Sequence, residues 1–181
     1  GHILQCLNVI LLLIAWSYLA KSSESNLPLN FATVWLFIAS LVGVSFYVTW
    51  DIMDDAQYQA FTHLQKTLGP PAVIFCVLML YNLKKYSVKS NYFNPRGLSL
   101  ITSIILFFLS CTLGLFVDGH DTRTPAHYHG VIAGINLAFV GLFYSVFLPI
   151  LGCRIPPSII ASTQIILYAV GQLLFVLGMF I

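Results

Sequence analysis

Three of the five histidines fall within ten residues, in the stretch Gly119-His120-Asp121-Thr122-Arg123-Thr124-Pro125-Ala126-His127-Tyr128-His129-Gly130, where a polar segment runs into an apolar one. Imidazole ligates transition metals and haem iron through a ring nitrogen, so metal or haem ligation is the chemistry to test there. On a helix, His127 and His129 are two residues apart, a rotation of about 200° at 3.6 residues per turn. They cannot grip one metal from one helix face, but they can serve two centres on either side of it, an arrangement suited to two haems flanking a single helix. The plainer alternative is that the histidines cap a helix end, where a polar ring at a water interface costs little. Against it stands the rarity of ionisable residues inside membrane segments, where they mark function. Pro125 fits the first turn of such a helix, where its missing N–H is not needed. Gly130, Gly134 and Gly141 thin one side of it, which allows close helix contact or room for a flat cofactor; the sequence leaves both open.

The elements that must position these residues follow from composition. The chain is 59% hydrophobic and 8% charged, with a mean hydropathy of +0.89, against roughly 25% charged residues in a soluble domain. That composition predicts an integral membrane protein. Six apolar runs approach the ~20 residues a helix needs to cross hydrocarbon: Ile3 to Ala20, Phe31 to Trp50, Leu64 to Leu83, Leu98 to Val117, Ala126 to Ile150 and Pro157 to Ile181. None alternates as a barrel strand does, and backbone crossing hydrocarbon must satisfy its own hydrogen bonds. The predicted fold class is therefore all-α: a polytopic transmembrane helix bundle of six spans, one domain over residues 1–181, with short connections and no internal repeat. Gly1-His2 opens almost directly into a span and Ile181 ends one without polar flanks. A cleaved signal peptide accounts for the start; a piece of a longer bundle accounts for both ends and is the expectation carried forward.

Basic residues set the orientation, because inner loops collect Lys and Arg. Lys84, Lys85, Lys89 and Arg96 mark the loop between the third and fourth runs as inside, and alternation puts Lys21 and Arg154 there too. Asp51, Asp54, Asp55, Asp118 and Asp121 then lie outside, so the fifth run enters the membrane from the histidine cluster. A net charge of +2 makes no case for nucleic acid. Cys6, Cys76, Cys111 and Cys153 are dispersed without Cys-x-x-Cys spacing and read as small packing residues. Asn8, Gln65, Asn136 and Gln164 read as hydrogen-bonding groups between helices, and Trp16, Trp35 and Trp50 as packing or interface anchors.

His120-Asp121-Thr122, a short spacer, then Ala126-His127-Tyr128-His129 closely resembles the tenth-helix motif of subunit I of the haem-copper oxidases, the respiratory terminal oxidases. Gly1-His2 resembles the Gly-His that opens the copper-ligand segment of that family's sixth helix. Three further runs, an acidic loop after the second, and Pro70-Pro71, similar to a proline break in the family's eighth helix, complete a resemblance to helices six to eleven of the larger bundle. The resemblance implies His127 as proximal ligand of a high-spin haem, His129 as axial ligand of a low-spin haem, and His2 as a copper ligand. It implies that His120 and Asp121 are polar residues above the haems. Arg123 has no clear counterpart in the motif, but a guanidinium at that level could pair with haem propionates.

The chain departs from the family pattern in places. Where the family carries two adjacent copper-ligating histidines, this sequence reads Phe46-Tyr47-Val48-Thr49-Trp50-Asp51. Cys6 stands where a tyrosine joined to a copper ligand is common, Leu4 where a proton-conducting glutamate is common, and apolar residues around Ile74 replace an eighth-helix lysine. His63 could partly replace the missing pair in a copper site with His2 and an unidentified third ligand; the duller account has His63 and Lys66, three residues apart on one helix face, reaching the outer interface or contacting haem propionates.

The resemblance implies an oxidoreductase: a cytochrome c or quinol oxidase-like protein of the bacterial or mitochondrial inner membrane. With other oxidase subunits it would pass electrons through two haems to O2 and reduce it to water. A second expectation is a divergent haem-binding membrane protein without the copper centre, acting in electron transfer, gas sensing or assembly. Nitric oxide reduction is a variant of the first, and a haem-free transporter or structural bundle is a third.

Overall fold

The computed structural model describes residues 2–20, 27–52, 54–85, 94–117, 121–153 and 159–181. Every regular element among them is helical: α1 (His2–Leu19), α2 (Leu27–Thr49), α3 (Asp55–Lys66), α4 (Gly69–Lys85), α5 (Pro95–Leu113), α6 (Arg123–Leu142), the single turn α7 (Leu148–Ile150) and α8 (Ile159–Phe180). Four rods are long and apolar enough to cross a membrane: Leu27–Thr49, Pro95–Phe116, Arg123–Ile150 and Ile159–Phe180. α1 has 18 residues and α4 has 17, which puts them at the short end of the spanning range. The predicted third span therefore differs from its expected extent. The helix in that run begins at Gly69 rather than Leu64, and Pro70-Pro71 lie in the first turn of α4 instead of interrupting it, where proline loses no intrahelical bond.

The chain divides into two compact units, Gly1–Ser17 with Lys21–Val88, and Tyr18–Ala20 with Lys89–Ile181. In the first unit, α2 packs on α3 and α4. α3 is amphipathic: Gln57, Phe61 and Leu64, spaced by four and three residues, are buried, while Tyr58, His63 and Lys66 are exposed. Asp54 starts it by accepting the Ala56 N–H at 3.0 Å, satisfying a donor the first turn leaves free. Its end is fixed by Thr67, whose hydroxyl donates to the Leu64 carbonyl at 2.6 Å. Trp35 is more than a packing anchor, since its Nε1 donates to the Thr67 carbonyl at 3.0 Å and ties α2 to this joint.

In the second unit α5, α6 and α8 pack together, with Leu106, Ala133, Leu137 and Ile165 at the core. Asn94 caps α5 by accepting the Gly97 N–H at 2.8 Å, followed by Pro95 in the first turn. Arg96 donates from Nε to the Leu19 carbonyl at 2.8 Å and from Nη2 to the Tyr18 carbonyl, with its guanidinium over the Tyr18 ring. It thereby satisfies carbonyls that the end of α1 leaves without intrahelical donors.

α6 continues through one π-helical turn, Phe143–Phe147, into α7. Pro149 supplies the reason: an α-helical turn would press its ring on the Ser145 carbonyl, and a wider turn relieves that clash. Gly152, at φ 76°, closes the rod. The Cys153 N–H donates to Leu148 and the Gly152 N–H to Pro149, at 2.9 and 3.0 Å. This pair of bonds needs a left-handed residue at the turn, which glycine adopts without Cβ strain.

Candidate functional site

The site is built on the α5–α6 seam. α5 carries Ser99, Ser103 and Ser110, with Gly114 capping it, at steps of four, seven and four; α6 carries Gly141, Gly134 and Gly130 in the complementary antiparallel order. A Cβ at Gly134 would stand 2.9 Å from the Phe107 Cβ, and one at Gly141 2.8 Å from the Ser99 Cβ. Gly130 faces Ser110, whose buried Oγ has no hydrogen-bond partner among the described residues. Ser103 Oγ donates to the Gly134 carbonyl at 2.6 Å inside the seam. The glycine face is thus filled by α5, which decides in favour of close helix contact over room for a flat cofactor on that side.

His127 lies at the end of this seam. Its Nδ1 is 2.7 Å from the Ser110 carbonyl. A carbonyl only accepts, so Nδ1 carries a proton, and Nε2 is the ring nitrogen left over for a further partner. Gly114 makes room for the ring, because a Cβ there would be 2.6 Å from both Nδ1 and Cε1 of His127. The Ser110 carbonyl also accepts the Gly114 N–H where α5 tightens into the 3₁₀ turn Gly114–Phe116. An N–H directed at this carbonyl end of α5 is favoured by the helix dipole.

His129 points elsewhere. Exposed and outside the seam, it meets α8, with its ring edge-on to Phe175 at 5.1 Å between centroids. The rotation inferred from spacing is therefore present, since the two imidazoles contact different helices. Asp121 and Arg123 stand at the entrance to α6 as a pair: Arg123 Nε to Asp121 Oδ2 is 2.7 Å, and Asp121 Oδ1 accepts the Arg123 backbone N–H at 2.9 Å. Arg123 also donates to the Phe116 carbonyl at 3.4 Å. These contacts hold Arg123 at this end of α6 with its charge partly matched already.

The copper candidates are placed as follows. His63 is exposed on α3 in the first unit. His2 begins α1, and its side chain lies outside the described residues, as does the whole of His120. Among the described residues no three His, Cys, Asp or Glu side chains gather as a metal site. The stretch Phe46 to Trp50, where the resemblance would place adjacent histidines, forms an aromatic cluster. The Phe46 ring lies 5.4 Å from Trp50 and 5.2 Å from Phe61, and the Tyr47 ring 5.3 Å from Phe61.

Sequence reasoning singled out the glycines of α6 but missed their counterparts on α5. The signal was present in the spacing of Ser99, Ser103, Ser110 and Gly114, a second small-residue stripe that mirrors the first. The interhelical role expected for Asn136 and Gln164 is met: Asn136 Nδ2 donates to the Tyr168 hydroxyl at 3.4 Å, and Gln164 Oε1 accepts from Tyr144 at 2.7 Å.

No family model matches the chain, and no solved structure matches it. Two curated relatives do. An uncharacterized protein of Rickettsia prowazekii (strain Madrid E) is 28% identical over 222 residues, covering 99% of this chain and 43% of its own length. An uncharacterized protein of Aquifex aeolicus (strain VF5) is 30% identical over 156 residues, covering 80% of this chain and 36% of its own. The chain thus spans less than half the length of the curated relatives it matches, and it is similar to one part of each.

Proposed function

We propose that the chain is part of a haem-copper oxidase subunit I-like respiratory membrane protein. In it α1, α2, α4, α5, α6 and α8 make six spans of a larger bundle, and His127 and His129 each ligate a haem in an electron path that ends in reduction of O2 to water. The observation that carries this reading is the bond from His127 Nδ1 to the Ser110 carbonyl. Histidines that ligate metals through one nitrogen have the other held by an acceptor that fixes the tautomer and raises ligand basicity. Here that acceptor is a helix-terminal carbonyl, and Gly114 leaves space for the ring. His129 supplies a second imidazole on another side of α6, free of hydrogen bonds among the described residues and in a T-shaped contact with Phe175. Haem, when bound, supplies the one-electron and oxygen chemistry, while the chain supplies ligands and orientation. Arg123 and Asp121, at the helix entrance, would meet the propionate side.

A second reading is favoured by the aromatic cluster of Phe46, Tyr47, Trp50 and Phe61: a haem protein of the same architecture without the copper centre, used in electron transfer, gas sensing or assembly. Phe46, Tyr47 and Trp50 stand in the stretch from which two copper ligands would come, and Phe61 of α3 packs on Phe46 and Tyr47. Haem and copper analysis of the purified full-length protein tests both. Two haems with one copper per chain supports the oxidase, two haems without copper supports the second reading, and a folded protein without haem overturns both.

A further inference from the structure

The Asn136–Tyr168 pair lies at the middle of two spanning rods, with its outer side bare. Asn136 is midway along Arg123–Ile150, and Tyr168 is midway along Ile159–Phe180. Asn136 is exposed and Tyr168 is 37% exposed. Among the described residues, only one of the four hydrogen bonds an asparagine amide can make is formed. Near the end of the same α6–α8 face, Gln164 is exposed and its amide NH2 is unshared among the described residues. His129, Ile132, Asn136 and Phe139 on α6, and Phe143 at the start of the π turn, follow one another at steps of three and four, and all are exposed. The glycine side of α6, by contrast, is closed by α5.

A hydrocarbon core of about 30 Å leaves no water at mid-span to satisfy an amide. Polar groups at that depth face protein or a water-filled cavity rather than lipid. We propose that the α6–α8 face is the docking surface for a further transmembrane helix carrying a Ser, Thr, Asn, Gln or Tyr at mid-depth, opposite Asn136. The occupant is a segment of the same polypeptide outside residues 1–181, consistent with relatives of which this chain covers only 43% and 36%. His129, at one end of this face, is the haem ligand of the proposed function; the docking proposal concerns the mid-depth surface around Asn136 and rests on membrane insertion and on the polar pair.

The test uses the full-length protein in lipid vesicles, with native cysteines replaced and a nitroxide attached at Phe139→Cys or Phe143→Cys, exposed positions on the side of Asn136 away from His129 that take no part in the pair. Collision rates with dissolved oxygen are compared with those of a nitroxide at the middle of a lone spanning peptide in the same vesicles. Severalfold lower rates at both positions are expected; rates equal to the lone peptide overturn the proposal. A photoactivatable cross-linker on Phe139→Cys, followed by mass spectrometry, identifies the occupant. Adducts on a spanning segment outside residues 1–181, within a turn of a hydrogen-bonding side chain, are expected. Adducts between two copies of α6, or on lipid alone, overturn it.

Discussion

Gly134→Ala would add a methyl group 2.9 Å from the Phe107 Cβ, 3.0 Å from its N and 3.1 Å from its Cα. Carbon pairs rest at about 3.5–4.0 Å, so the deficit is at least about 0.5 Å. Two of the three obstacles are backbone atoms of a helix, which cannot swing away as a side-chain tip can, so α5 and α6 must part by a similar amount. The Ser103 bond to the Gly134 carbonyl, now 2.6 Å, would stretch past about 3.1 Å, toward the long end of the hydrogen-bond range. Overpacking of this kind costs about 1–3 kcal/mol, and weakening an interhelical bond in a membrane bundle adds about 0.6 kcal/mol or less. Higher helix propensity of alanine offsets about 0.8–1 kcal/mol, leaving a net loss between about 0 and 3 kcal/mol, and a deficit of about 1–3 kcal/mol or slightly more against a glycine-to-alanine change that keeps the propensity gain alone. Gly171→Ala is the control, because nothing lies within 4 Å of a Cβ there, and it keeps the propensity gain alone. Reversible unfolding of the full-length protein in mixed micelles, followed by tryptophan fluorescence, should place Gly134→Ala at or below wild type and clearly below Gly171→Ala. If Gly134→Ala proves as stable as Gly171→Ala, the close α5–α6 seam is refuted.

Further predictions concern the seam's end, the Arg96 anchor and orientation. Gly114→Ala meets the movable ring of His127 rather than backbone. Stability should change by less than about 1 kcal/mol while the Nδ1 bond to Ser110 is lost, visible as a changed ¹⁵N shift of His127; an unchanged shift would show that the ring is not held there. Arg96→Gln leaves the Tyr18 and Leu19 carbonyls short of donors and removes the cation over the Tyr18 ring. A loss of about 1 kcal/mol is expected in the same unfolding assay. Cys153 is exposed beside the Gly152 turn, whereas Cys6 and Cys76 are buried. A membrane-impermeant maleimide should therefore label Cys153 in inside-out vesicles and spare it in right-side-out ones, and the reverse pattern would invert the proposed topology.

Much of this arrangement was legible in the sequence because a few residues carry it. Two histidines at a spacing of two must diverge on any α-helix, and they do. Pro125 belongs near a helix start, and α6 begins at Arg123. Apolar length identified the rods, but it could not separate α3 from α4: the run from Leu64 reads as continuous, while the Thr67 cap and the prolines after Gly69 divide it. Glycine spacing alone could not distinguish a cofactor groove from helix packing, because the answer lay in the serines of α5. The π turn was invisible to periodicity, since it depends on how one proline, Pro149, is relieved locally. Arg123 shows the limit of charge reasoning. A guanidinium near a helix entrance suits any carboxylate, and here Asp121, two residues away, is close enough to be one.

Ligand exchange at His127 and His129 in the full-length protein tests the central claim most directly. Each is replaced in turn by glycine, and optical and electron paramagnetic resonance spectra are recorded before and after adding imidazole. The account predicts that His129→Gly loses the low-spin signal and keeps the high-spin one, that His127→Gly does the opposite, and that imidazole restores each. Wild-type spectra in both variants, or a folded full-length protein with no haem signal, would contradict it.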